Sequence, residues 1–154
     1  MYFRRKSKLY DMSWKLRYSS SEFFYHDVQS ICRLLLDGRV LPEWNPAIST
    51  VEESDTTGTF VISVHRLLRG ILVYGHSDLH TINMSITVPG LTEETSFRLS
   101  PQSQGTQVTH TIVQRGFLVA LIGAAENSNV PAKRLARLAC YLDNSADERN
   151  VSFG

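Results

Sequence analysis

The side chains of this 154-residue chain best equipped for chemistry are its histidines, and two of them fall in patterns that narrow what they could do. His110 stands in "GTQVTHTIVQ", where Val108, His110 and Ile112 alternate against Gln107, Thr109 and Thr111. A strand there aims the imidazole the same way as two apolar side chains. On a covered face it needs a hydrogen-bond partner, and it then anchors a ligand's polar end, serves as acid or base, or stays a satisfied core residue. His76 belongs to "GHSDLH", in which His76, Asp78 and His80 alternate. An unbroken strand would put two imidazoles and a carboxylate on one face, as a metal site requires. A turn at Asp78-Leu79-His80 scatters them, so no metal is expected. Tyr74 and His76 share a face with Leu72, while Ile71, Val73 and Gly75 hold the other. Alternation leaves open which of these faces is inside.

Other catalytic patterns are missing. There is no P-loop, GxGxxG, HExxH or GxSxG, and the Asp and Glu residues fall mostly in turns or on wet faces, which gives no carboxylate pair and no expected cofactor. Arg33 and Asp37, four apart on a helix, read as a surface ion pair. Cys32 and Cys140 lie in apolar helical patterns without a CxxC, and two buried thiols fit a reducing cytoplasm.

Trp44 raises a different question. In "LLLDGRVLPEWNP" an indole stands between Pro42 and Pro46 directly after a helical run. The two prolines restrict the chain on either side, so the ring is placed rather than free. It plugs the core or lines one end of a cavity.

The bulk of the chain must supply the frame for these residues. A composition of 42% hydrophobic and 20% charged residues suits one globular domain. A formal net charge of +1 argues against a dedicated nucleic-acid binder. No apolar run approaches the ~20 residues that span a bilayer. The opening "MYFRRKSKLY" has no apolar run behind it and reads as a flexible basic arm over residues 1–12. A strand is expected within Ser13–Tyr25, then Asp27 capping a helix with Val28, Ile31, Leu34 and Leu35 on one face and Gly38 ending it. A short helical turn over "VLPEW" follows. From Val51 the period becomes two: Phe60, Ile62 and Val64, then Ile82, Met84, Ile86 and Val88, then Phe97 and Leu99, then Val108, His110 and Ile112. Turn signals fall at Thr57-Gly58, Arg69-Gly70, Pro89-Gly90 and Ser103-Gln104-Gly105. After Gly116 the pattern is helical again, interrupted at Pro131, with Ser128 or Asn129 recapping. Its second half places Leu135, Leu138 and Leu142 on one face and Lys133, Arg134 and Arg137 largely elsewhere. Residues 144–154 read as a loose polar tail, leaving a single domain over 13–143.

The stretches "DVQSICRLLLDGRVLPEWNPAI", "GTQVTHTIVQRGF" and "RLARLACYLD" resemble the polyketide cyclase/START-like superfamily, which has the helix-grip (Bet v 1-like) fold. The likeness rests on Asp37-Leu41-Trp44-Pro46 and on Gly105-Thr106-Val108-Thr109, and extends over roughly Phe23 to Asp143. It implies an α+β helix-grip architecture. A curved antiparallel sheet of about seven strands has two short helices after the first strand and a long C-terminal helix across its concave face. It implies that Trp44 packs where the two short helices meet the sheet. The superfamily's motifs specify the fold and leave the function open.

The leading reading is a cytoplasmic protein that binds a small hydrophobic or amphipathic molecule, lipid-, polyketide- or aromatic-like, between the sheet and the C-terminal helix. Its candidate wall is Trp44, Asn45, Phe60, Ile62, Tyr74, Met84, Ile86, Phe97, His110, Phe117 and Leu121. The small residues Ala120, Gly123, Ala124 and Ala125 either keep that space open or let the helix pack closely. A second reading is a cyclase/dehydratase-type enzyme with His110 or His76 as acid/base. A third is an interaction module with a filled core, in which Leu67 and Leu68 contact a partner or a second copy of the chain, as in a homodimer. No nucleic acid and no stable membrane insertion are expected.

Overall fold

A computed structural model describes the backbone of residues 15–122 and 128–151 and the side chains of 15–119 and 128–151. The strands are β1 (Lys15–Phe24), β2 (Ile48–Glu53), β3 (Thr59–Val64), β4 (Leu68–Tyr74), β5 (Thr81–Val88), β6 (Leu91–Gln102) and β7 (Gly105–Arg115). The helices are α1 (Val28–Leu35), α2 (Leu41–Trp44), α3 (Phe117–Ile122) and α4 (Val130–Val151), with a 3-10 turn at Gly38–Val40.

All seven strands form one antiparallel sheet in the order β1-β7-β6-β5-β4-β3-β2. From β2 onward each strand pairs with the next in sequence, while β1 closes the far edge on β7. Period-2 alternation produces a covered face: Phe60, Ile62 and Val64 on β3, Leu72 on β4, the even positions from Ile82 to Val88 on β5, and Phe97 and Leu99 on β6 are buried. Helix α4 lies against β1, β7 and α2, burying Pro131, Arg134, Leu135, Leu138 and Leu142. Apolar burial of these faces against one helix is the main stabilising term. The architecture is the helix-grip arrangement.

Local chemistry sets the first helices. The Asp27 carboxylate accepts from the Ser30 N–H and caps α1, whose buried stripe is Val28, Ile31, Cys32 and Leu35. The Tyr74 hydroxyl, reaching across from β4, donates to the Leu35 carbonyl at 2.7 Å and satisfies one of the acceptors that a helix end leaves open. Pro42 occupies the first turn of α2, where no backbone donor is needed. Asn45 is extended ahead of Pro46 and accepts from the Ala47 N–H.

Several expectations are corrected. Helix α1 ends at Leu35, before Gly38, which instead begins the 3-10 turn beneath the Phe60 ring; a Cβ at Gly38 would stand 2.3 Å from that ring. The turn expected at Arg69-Gly70 lies at His65 and Arg66, both with positive φ, while Gly70 sits inside β4. There a Cβ would meet the Thr87 carbonyl and Val88 at 2.4 Å, so this glycine serves close strand approach rather than a bend. Asp37 pairs with Arg39, not Arg33, because two residues across the turn bring the guanidinium to 3.0 Å. Cys32 is buried but Cys140 is exposed, on the wet side of α4. Pro131 falls in the first turn of α4, so the proline starts this helix and does not kink it. The helix then continues past Asp143 to Val151, taking in most of the expected tail. Arg134 is buried, on the same face as Leu135, Leu138 and Leu142.

Candidate functional site

Helix α4 does not close completely on the β2–β6 part of the sheet. A cavity of about 280 Å³ remains there. Its walls are mostly aliphatic: Ile48 from β2, Val64 from β3, Ile86 and Val88 from β5, Leu91 from β6 and Leu118 from α3. Asn45 and the Pro46-Ala47 step border it, and His65 and Lys133 are its exposed polar residues.

The inner end is polar. Glu93 on β6 and Gln114 on β7 are paired in register, both facing inward, and both line the cavity. Arg134, one turn into α4, reaches down to them. Its Nη1 donates to Glu93 Oε1 at 2.5 Å and its Nη2 to Oε2 at 3.3 Å, while Gln114 Nε2 donates to Glu93 Oε2 at 2.8 Å. All three residues are at most 4% exposed. Burial pushes the Glu93 carboxyl up, but the Arg134 charge and the bonds from Arg134 and Gln114 outweigh it and hold the group below the usual carboxylate range. The pair is therefore ionised and internally neutral.

Five buried side-chain atoms among the described residues have no hydrogen-bond partner: Trp44 Nε1, Thr95 Oγ1, His110 Nε2, Gln114 Oε1 and Arg134 Nε. Buried polar atoms are nearly always paired, so such a group of orphans calls for an explanation. The register Glu93↔Gln114, Thr95↔Ile112, Phe97↔His110 places four of the residues involved along one inward stripe on β6 and β7 or directly above it. Trp44 meets the stripe edge-on, its ring 5.5 Å from Phe97.

His110 lies at the deep end of this stripe. Its ring stacks on Phe97 at 4.0 Å, and Nδ1–H donates to the Ser96 carbonyl at 3.1 Å, which leaves Nε2 as a bare acceptor. Desolvation first, and the Arg134 charge second, lower its pKa to about 3 against the opposing pull of the Ser96 carbonyl and Glu93. The imidazole is thus neutral at physiological pH and a weak base. It is not among the residues lining the cavity.

The remaining sequence candidates are distributed as follows. Asn45 and Ile86 line the cavity. Trp44, Phe60, Ile62, Met84 and Phe97 are buried core residues. Tyr74 faces inward with Leu72, which resolves the open face of β4, and its hydroxyl is committed to Leu35; burial, then the Asp37 charge, raises its pKa. His76 lies beyond the end of β4 and is exposed. Asp78 accepts from the His80 and Thr81 N–H groups, forming the turn that separates His76 from His80. No group of three or more metal-ligating side chains occurs among the described residues. Phe117 is 63% exposed and its ring covers Gly90. Leu121, and the small residues Ala120, Gly123, Ala124 and Ala125, lie outside the described residues. Among the described residues no helix is long and apolar enough to cross a membrane.

Sequence reading missed Glu93, Gln114 and Arg134, although each had a signal. Glu93 keeps the parity of Phe97 and Leu99, and Gln114 that of His110 and Ile112. Arg134 stands four residues before Leu138 on the buried helical face.

No protein-family model matches the sequence, and no curated protein matches it. Solved structures do. A conserved protein from Geobacillus kaustophilus superposes with a TM-score of 0.71 at 16% identity, covering 84% of this chain and 97% of that one. A START superfamily protein from Mycobacterium smegmatis gives 0.62 at 12%, covering 86% and 97%. The di-domain ARO/CYC StfQ from the steffimycin biosynthetic pathway gives 0.65 at 11%, covering 86% of this chain and 52% of that one. These likenesses establish the START-like, Bet v 1-like fold.

Proposed function

We propose that the protein binds a small hydrophobic or amphipathic molecule in the cavity between its sheet and the first turn of α4. The observation that carries this reading is an aliphatic chamber of about 280 Å³ ending on a buried polar cluster. Apolar walls with a few convergent polar groups are the usual composition of ligand sites, and the volume lies just below their usual range of about 300–1,000 Å³. Affinity would come mainly from apolar burial and orientation from the polar end. A weakly basic His110 that does not line the cavity gives the acid/base alternative no support.

Thermal unfolding in the presence of lipids, polyketides and aromatic acids tests the reading. A ligand at a hundredfold its Kd should stabilise the chain by about 2.7 kcal/mol. Val88→Phe, which fills the chamber from β5, should keep the fold and abolish that stabilisation. Absence of any shift, or equal shifts in the wild type and Val88→Phe, would refute binding in this cavity.

A further inference from the structure

We infer, resting on the reading that this cavity holds a ligand, that its occupant is a small uncharged amphipath with a hydroxyl at its inner end, held between the Gln114 carbonyl and the Arg134 Nε–H. Gln114 and Arg134 both line the cavity, and each is only 4% exposed. Within that cluster Gln114 Oε1 and Arg134 Nε are the two atoms without partners. The first can only accept a hydrogen bond and the second can only donate one. A hydroxyl is the smallest group that does the complementary pair of tasks.

Charge narrows the class further. The Arg134 guanidinium is already neutralised by Glu93 through two bonds. A carboxylate ligand would bring a second buried anion beside the first, and an ammonium a second buried cation beside Arg134; neither charge finds an unused counterpart there. Size sets the body. At ~30 Å³ for each water-sized group, the chamber takes about nine heavy atoms. A chain of about eight carbons ending in oxygen fits that count. Lys133, exposed on the cavity's edge, is a cation that could capture an acid lying the other way round, so the orientation is part of the test.

Binding of octan-1-ol, octanoate, octylamine and heptyl methyl ether to the full chain at pH 7, followed by calorimetry, decides the matter. The ether accepts a hydrogen bond but cannot donate one to Gln114. Octan-1-ol should bind about tenfold more tightly than each of the others, the difference expected for one satisfied buried hydrogen bond or one avoided charge. In Gln114→Met the alcohol should lose its advantage over the ether; should that variant not fold, the wild-type comparison of alcohol with ether still decides. Octanoate binding as tightly as the alcohol overturns the inference while leaving the cavity reading intact, and loss of that binding in Lys133→Ala would place the polar end at Lys133. Failure of all four probes overturns the inference, and only a parallel failure of the wider ligand panel removes the cavity reading with it.

Discussion

His110 stores a pH dependence in a single ring. The free imidazole takes up a proton near pH 6.5, whereas the folded one does so only at about 3. Between those values the unfolded chain binds a proton that the folded chain refuses, so stability falls as the pH drops, at about 1.4 kcal/mol per pH unit when the difference is fully developed. Glu93 acts in the same direction lower down. Its depressed pKa contributes stability above the ordinary carboxylate value of 4.5, and that contribution is lost as pH falls through the lower folded value. Urea denaturation at pH 7, 5.5 and 4.5 should therefore give a steeper acid loss for the wild type than for His110→Gln, whose amide can still donate to Ser96. Parallel profiles would show that the ring is protonated as easily inside as outside. At this scale the sequence exposed His110 through strand parity but concealed Glu93, Gln114 and Arg134. Charged and amide side chains are ordinarily assigned to the wet face, and only their mutual pairing makes burial tolerable. That pairing joins β6, β7 and α4, which no local pattern connects.

Among elements, two ion pairs of unequal worth tie α4 to the rest of the described residues. In its second half Asp143 meets His26 at 2.6 Å, but the Asp143 side chain is 66% exposed and solvent screens the contact. One turn from its start Arg134 meets Glu93 in full burial. Arg134→Met should cost about 3–5 kcal/mol by leaving the Glu93 carboxylate uncompensated, and adding Glu93→Leu should recover most of that loss. Asp143→Ala should cost less than about 1 kcal/mol. Denaturant titration of the three variants, including the double, checks the order; an Arg134→Met as mild as Asp143→Ala would mean that the pair does not fasten the helix. The strands were legible because alternation is a local signal, and Asp27 because its capping bond is local too. The β3–β4 turn was not, since His65 and Arg66 adopt positive φ without the glycine that normally announces it, while the nearby Gly70 is needed for contact with β5.

For the molecule as a whole, the sheet, its covering helix and their mutual placement followed from periodicity and from the resemblance of the Trp44 and Gly105 stretches. The cavity did not. It is the volume left over when α4 and α3 settle on β2–β6, a remainder of packing among side chains distant in sequence. Among the described residues its wall shares only Asn45 and Ile86 with the candidate wall read from the sequence, because inward parity distinguishes covered positions from wet ones but does not separate lining from filling.

The edge position of β1 has a consequence in time. Lys15 pairs with Arg115 and Phe24 with Thr106, so the strand made first depends for its ladder on a strand begun at Gly105. Ribosomes add about 5–20 residues per second, which leaves β1 waiting for seconds while β2 to β6 can already zip together one after another. A nascent chain arrested at Gln102 should remain open to proteases within Lys15–Phe24, and one released beyond Arg115 should not; protection of the arrested chain would mean that β1 finds an interim shelter. During synthesis, then, this protein has a vulnerable interval, and β7 ends it.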